Sequence, residues 1–143
     1  MLSNTCKYAL RAVIYLALYA SPEKKAGIRE IAKELNLPTH FLGKILQNLA
    51  RQQILESTKG PRGGFCLKKQ AIDISLMEII EIIDGTYTFD TCVIRTSECS
   101  KDEPCSIHDK LEPLRDEIRR LFLTESIADL VSEFREGRER IRI

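Results

Sequence analysis

No part of this 143-residue chain is apolar for long enough to cross a bilayer. Its longest apolar run, "AVIYLALYA" from Ala12 to Ala20, spans nine residues, where a spanning helix needs about twenty. The start, "MLSNTCKYALR", lacks the charged opening, apolar stretch and small-residue cleavage site of a secretion signal. A cytoplasmic location without membrane contact is therefore expected. Internal repeats and low-complexity tracts are absent, and no nucleophile, base and orienter can be assembled into a catalytic set. An enzyme is not expected. The five cysteines are an odd number, and structural disulfides are uncommon in a reducing compartment, so a disulfide framework is disfavoured.

The chain is 43% hydrophobic and 30% charged, which is too apolar for a disordered protein. Its length suits one domain, or a compact module with an oligomerisation element. The net charge of +1 conceals a division. Residues 1–70 hold twelve Lys+Arg against four Asp+Glu, or +8; residues 71–143 hold ten against seventeen, or −7. Phosphate binding requires the first kind of surface and is opposed by the second. Contact with double-stranded DNA is thus expected in the first seventy residues.

The pattern is mainly α-helical. Ser3 to Ala20 reads as a helix capped by Ser3 or Asn4. Beyond Arg11 it is apolar nearly all round, which requires cover on more than one side, from its own subunit or from a partner chain. "IREIAKELNLPTHFLGKILQNLARQQIL" carries two further helical patterns, with Pro38 breaking the first and opening the second. Ile28, Ile31, Ala32 and Leu35 form one inward face; Phe41, Leu42, Ile45, Leu46 and Leu49 form the other. Two helices joined by so short a turn make a helix-turn-helix.

The outward stripe of the second helix carries His40, Lys44, Gln47 and Arg51, with Gly43 and Asn48 beside it. The twenty-one residues between Glu34 and Glu56 contain no carboxylate. A merely solvated helix normally mixes both signs; one purged of acid suits a phosphate-lined groove. "ILESTKGPRGGFCLKK" then reads as two short strands, Ile54–Thr58 and Phe65–Leu67, around a glycine-rich turn tipped by Lys59 and Arg62. Helix-turn-helix plus basic hairpin is a winged helix. Its recognition helix, Thr39 to Gln53, is expected in the major groove and its wing on the backbone. The candidate DNA contacts are Thr39, His40, Lys44, Gln47, Asn48, Arg51, Lys59 and Arg62.

"ISLMEIIEIIDG" reads as a helix with a Ser75–Glu78 capping box and a stop at Gly85. Thr86 to Pro104 reads as a polar loop. Ile107, Leu111, Leu114, Ile118 and Leu121 then repeat at heptad spacing, a short seam that asks for a second subunit. Pro113 predicts that the helix begins near Glu112 or kinks there. A last helix opens at a Ser126–Asp129 capping box, followed by the charged tail "REGRERIRI". The expected organisation is a DNA-binding region over 1–70, a linking helix and Cys/His loop over 71–110, and a dimerisation helix, short helix and tail over 111–143.

Cys92, Cys99, Cys105 and His108 fall in the spacing C-x6-C-x5-C-x2-H. Thiolates and imidazole hold zinc or an iron–sulfur cluster. Structural zinc usually takes closer cysteine pairs, so spacing leaves zinc and 2Fe–2S both open, beside unrelated surface cysteines. Pro104, Ser106 and Asp109 suggest a helix start carrying Cys105 and His108 on one face, where the helix N-terminus favours a thiolate. Cys6 and Cys66 read as small buried apolar residues.

In that order the winged helix, "KGPRGGF" and the ligand segment resemble the IscR, NsrR and CymR family of bacterial transcription regulators. The resemblance runs from Tyr8 to about Phe134 and includes "KYALRAVIYLAL" and "SIADLV". It implies a homodimer that crosses long C-terminal helices and binds partly palindromic operators. IscR-like members hold a 2Fe–2S cluster through three cysteines and a histidine, here matching Cys92, Cys99, Cys105 and His108. NsrR-like members lack the histidine and CymR-like members lack the cysteine set, so the chain resembles the IscR side. It departs from that pattern in three places. The first ligand interval is six residues rather than five, Gly43 replaces a recognition-helix glutamate, and Lys59 replaces a wing arginine. The implied function is transcription regulation with operator affinity set by a cluster that senses cluster supply, redox state or nitric oxide. A zinc-stabilised or metal-free thiol-sensing module of the same fold is the alternative.

Overall fold

The computed structural model describes residues 1–135, so the tail from residue 136 lies outside the described residues. The fold is mainly α-helical with one two-stranded hairpin. Helix α1 (Asn4–Tyr19) is its centre. The Ser3 hydroxyl caps it, accepting from the Cys6 N–H at 3.0 Å. Asp84 takes both the Ser3 N–H (2.9 Å) and its hydroxyl proton, setting a carboxylate at the positive end of the helix. Cys6, Ala9, Ala12, Val13 and Leu16 are fully buried. Their cover comes from the same chain: α2 (Ile28–Leu35), α3 (Thr39–Arg51), β2 (Gly64–Leu67), α4 (Leu76–Ile83) and α7 (Ile127–Arg135) all pack on α1. Burial pushes the Cys6 thiol up to about 12, and the Asp84 carboxylate adds to the shift.

The turn between α2 and α3 is built by Asn36. Its φ of 51° ends α2 in the left-handed conformation that asparagine tolerates. Pro38 stands one position outside α3 rather than in its first turn, and its carbonyl accepts from the Leu42 N–H at 3.0 Å. Leu42, Ile45, Leu46 and Leu49 are buried as the periodicity predicts. Phe41 remains 36% exposed and meets the edge of the Tyr8 ring at 5.8 Å. The helix stops at Arg51, two residues before the expected end. Gln53 then turns at a φ of 65° to start the hairpin.

Strand β1 (Leu55–Thr58) pairs antiparallel with β2, Leu55 facing Leu67 and Thr58 facing Gly64. The hairpin is fastened to the body at Ala26, whose N–H and C=O bond Phe65 at 3.0 and 2.8 Å. Lys25 braces the outer strand through Thr58 and Glu56. Gly64 is what permits the approach. Its φ is 138°, and a Cβ there would lie 2.5 Å from the Ala26 carbonyl oxygen. Cys66 is buried beneath the wing, as expected, with its sulfur 3.6 Å from Glu56. Burial, first, raises its pKa.

Ser75 caps α4 by accepting from the Glu78 N–H at 3.1 Å, but the Glu78 carboxylate pairs with Lys69, so only half of the expected capping box forms. Gly85, at a φ of 73°, ends the helix. One helical turn, α5 (Tyr87–Asp90), interrupts the predicted loop. Helix α6 (His108–Thr124) starts four residues before Glu112 and runs through Pro113. The Ser126–Asp129 box is complete: Asp129 accepts the Ser126 N–H and hydroxyl at 2.8 and 2.6 Å, and Ser126 accepts the Asp129 N–H at 3.2 Å. These bonds hold the Asp129 carboxyl below its usual range. Backbone bonds from Leu76 to Glu125 (3.0 Å) and Ile127 to Ile74 (2.9 Å) lock α7 beside α4, and α7 then returns to α1.

Gly64→Ala is expected to lower unfolding stability by about 3 kcal/mol, through backbone strain plus the clash with Ala26. Gly60→Ala, at a φ of 103° with open space around it, should cost about 1 kcal/mol. Urea denaturation of both variants checks the difference; equal losses would remove the Ala26 approach as the constraint.

Candidate functional site

Helix α3 lies on α1 and α2 through its apolar side, so the opposite side is open to solvent. Thr39, His40, Lys44, Gln47 and Arg51 are exposed along it, and Asn48 is half-buried. Gly43 is buried instead of joining that stripe: a Cβ there would rest 3.8 Å from Ile28 Cδ1. Lys59 and Arg62 are exposed at the wing tip. The turn is close enough to demand glycine at 63, where a Cβ would meet the Thr58 carbonyl oxygen at 2.1 Å. Among the described residues, none of Lys44, Arg51, Lys59 and Arg62 makes an ion pair. An open cleft of about 540 Å³ separates the end of α3 from β1, with Gln47, Arg51, Gln53, Ser57 and Lys68 on its walls. The result is a carboxylate-free ridge and a basic tip on one connected unit.

The Cys/His loop is a small folded structure. Thr91 pairs with Glu98 as a bridge, the Cys92 N–H bonds the Ser97 carbonyl at 3.1 Å, and the Cys99 N–H bonds the Asp90 carbonyl at 2.6 Å. The four expected donors meet as two pairs. Cys105 lies beside Cys92 and helps to lower its pKa, and Cys99 Sγ lies 3.1 Å from His108 Nδ1. Cys92 and His108 are buried, and Cys99 and Cys105 are half-buried. Among the described residues, no three Cys, His, Asp or Glu side chains form a ready metal cage. The Arg95 N–H, 3.4 Å from Cys92 Sγ, and then the Ile94 N–H lower the Cys92 pKa, against the opposing effect of burial.

That electrostatic support differs from the expected helix start. Ile107 takes the cap position of α6 without a side-chain bond, so Ser106 and Asp109 build no capping box. Cys105 therefore precedes the helix; its carbonyl accepts the His108 N–H at 3.0 Å. The backbone amides of the loop, rather than a helix end, favour the Cys92 thiolate.

Helix α6 holds the loop by two arginines that sequence reading did not single out. Arg115 donates to the Thr91 carbonyl, and Arg119 pairs with Asp90 at 2.8 Å while lying over the Phe89 ring at 5.9 Å. Phe89 in turn meets Phe122 edge-on at 6.0 Å. Glu112, also missed, bonds His108 Nε2 at 3.2 Å and Lys101 at 3.0 Å. A cavity of about 250 Å³ lies between these groups, lined by Cys99, His108, Glu112, Arg115 and Arg119. The i,i+4 spacing of His108 and Glu112 was a usable signal. The arginine contacts span 24 and 29 residues and leave no local signature.

The expected seam divides on α6. Ile118, with Phe122, packs on the chain's own core; Ile107 and Leu111 are half-buried; Leu114 and Leu121 are 55% and 51% exposed. Among the described residues no helix is long and apolar enough to cross a membrane.

The model of the Rrf2 family, described as iron-dependent transcriptional regulator, matches residues 2–133. This chain belongs to the Rrf2 family. It is a DNA-binding transcriptional regulator and not an enzyme. An Rrf2-type relative from Aquifex aeolicus, named an HTH-type transcriptional regulator, is 37% identical over 132 residues, covering 91% of this chain and 90% of its own. The fold of the Rrf2 protein IscR from T. potens superposes with a TM-score of 0.77 at 19% identity, over 98% of this chain and 92% of that one. CymR of B. subtilis, titled the global cysteine regulator, superposes at 0.76 with 24% identity, over 92% and 96%. The resemblance to IscR, NsrR and CymR and the winged-helix fold expected from sequence are thereby borne out.

Replacing Arg115 and Arg119 together by alanine should free the loop from α6 in this Rrf2 protein. Amide hydrogen exchange over residues 90–99 should quicken roughly tenfold while α1 and α3 keep their protection. Unchanged exchange would mean that the loop holds its shape without α6.

Proposed function

We propose that this regulator is a cytoplasmic homodimer whose affinity for operator DNA is set by a 2Fe–2S cluster held by Cys92, Cys99, Cys105 and His108. The observation that carries the reading is the pairing of the four donors within a loop docked on α6. Each iron of a 2Fe–2S cluster needs two protein donors, and two separate pairs suit that better than one tetrahedral zinc. The lowered pKa of Cys92 suits a thiolate ligand. Bound there, the cluster would supply reversible electron acceptance and a reactive target for oxygen or nitric oxide. Which of cluster supply, redox state or nitric oxide is the signal depends on the cell.

The DNA half rests on α3 and the wing. In a dimer joined along Leu114 and Leu121, with Ile107, Leu111 and Ile118 flanking, two α3 helices would enter successive major grooves about 34 Å apart on a partly palindromic site. Thr39, His40, Lys44, Gln47, Asn48 and Arg51 would touch bases or phosphates, and Lys59 and Arg62 would grip the backbone. Buried Gly43 takes no part in base reading. A cluster held by the four donors would fix the loop in one arrangement, Arg115 and Arg119 would pass that arrangement to α6, and α6 would set the spacing of the two reading heads. A hundredfold effect on affinity requires about 2.7 kcal/mol of preference for one spacing.

A second reading draws on Cys92 and Cys105, neighbouring thiols of which the first has a lowered pKa. This would make the protein a thiol sensor without metal, or with zinc in place of iron. Iron and sulfide assay with an absorption spectrum on anaerobically isolated protein separates the readings: colour with iron and sulfide is expected, and zinc alone or no metal favours the second.

Two outcomes are expected with DNA. Holo and apo forms should differ in operator affinity by tenfold or more, measured anaerobically by mobility shift; equal affinities would detach the cluster from DNA binding. Lys59→Ala with Arg62→Ala should weaken binding across sequences and flatten the log affinity against log salt slope by roughly 3 to 4 per dimer. A changed base preference with an unchanged slope would remove the wing from the backbone.

A further inference from the structure

His108 is held from both sides of its ring. Nδ1 faces Cys99 Sγ at 3.1 Å, and Nε2 faces Glu112 Oε2 at 3.2 Å. The residue is only 5% exposed, so water does not compete for either nitrogen. An ionised carboxylate can only accept hydrogen bonds. In the neutral imidazole the proton therefore belongs on Nε2, which leaves the Nδ1 lone pair directed at Cys99. The other Glu112 oxygen accepts from Lys101 at 3.0 Å. That lysine belongs to the loop between Cys99 and Cys105, whereas Glu112 and His108 are i,i+4 neighbours on α6. One carboxylate thus ties the helix, the ring and the loop together.

We propose that Glu112 is a positioning residue that fixes His108 in the Nε2–H tautomer, so that Nδ1 is the nitrogen presented for ligation, with Lys101 holding the carboxylate in place. The proposal rests on the cluster reading for its ligation half and on the hydrogen-bond geometry for the rest. A ring that could choose either tautomer would offer its lone pair to Cys99 for only part of the time. A carboxylate acceptor on the far nitrogen also makes the ring a stronger donor to metal. Its negative charge favours the more oxidised state of whatever the ring binds.

The test begins with the intact, metal-free chain. Long-range proton–nitrogen NMR on protein labelled with ¹⁵N-histidine, at a pH where the ring is neutral, reports which nitrogen carries the proton. Wild type should show His108 protonated at Nε2. Glu112→Gln combined with Lys101→Ala leaves the single amide oxygen free to accept from the ring and should retain that state, whereas Glu112→Ala should show a mixture. After anaerobic reconstitution, Glu112→Ala should release iron to a ferrous chelator roughly 10–100-fold faster than wild type. Glu112→Gln should keep its iron but show a reduction potential shifted upward. A proton on Nδ1 in wild type, or a single Nε2–H state in Glu112→Ala, overturns the proposal. Wild type that takes up no iron overturns the cluster reading and the ligation half with it, while an Nε2–H state lost only in Glu112→Ala still upholds Glu112 as the group that orients the ring.

Discussion

The burial of α1 is the constraint on which the rest of this structure depends. Ala9, Ala12, Val13 and Leu16 are shut away from water by segments from both ends of the chain. Each fully buried Val or Leu contributes about 1.5–3 kcal/mol, so the helix cannot change partners without a large loss. Consequently α3 and the wing, the proposed DNA-reading unit, share a single core with α4, which leads to the Cys/His loop, and with α7. Asp84 marks the junction: it holds Ser3, the cap of α1, and lies three residues ahead of the α5 turn. Packed helices join the loop to the proposed DNA-reading unit: α6 lies on α4, α4 on α1, and α1 on α3.

Charge is distributed to match that architecture. The +8 region folds into the ridge and wing, and among the described residues its exposed Lys44, Arg51, Lys59 and Arg62 make no ion pair, although Glu56 stands three residues before Lys59. Lys69 pairs with Glu78, and Lys25 serves a further purpose. Its side chain is 10% exposed and is spent on Thr58 and Glu56, which keep the wing fastened. The acidic region uses its charges internally, with Asp90 and Glu112 each bound to a cation that anchors the loop to α6.

The Cys/His loop illustrates how polar chain is ordered without much core. It buries few large side chains beyond Phe89, so its shape depends on backbone bonds across Thr91 and Glu98 and on cationic clamps from α6. Such contacts are individually modest and let a bound group shift the balance between arrangements. An IscR and a CymR superpose on the chain almost equally well, so the fold is shared with both.

The sequence by itself determined the elements whose causes are local. Period-3.6 apolar spacing placed α1 to α3, Pro38 and Asn36 cut the turn, Gly60, Gly63 and Gly64 closed the hairpin, and Ser126 with Asp129 opened α7. The donors Cys92, Cys99, Cys105 and His108 were visible as residue types, because soft ligands stand out in a polar segment. Only the tertiary structure decided how they pair, that Cys105 lies outside the helix, and that Gly43 faces Ile28 rather than solvent. It also decided that Gly64 meets Ala26, that Arg115 and Arg119 reach back to the loop, and that Ile118 turns inward while Leu114 and Leu121 do not. Each of those depends on where distant segments come to rest against α1 and α6, a distance that neighbouring residues along the chain do not encode.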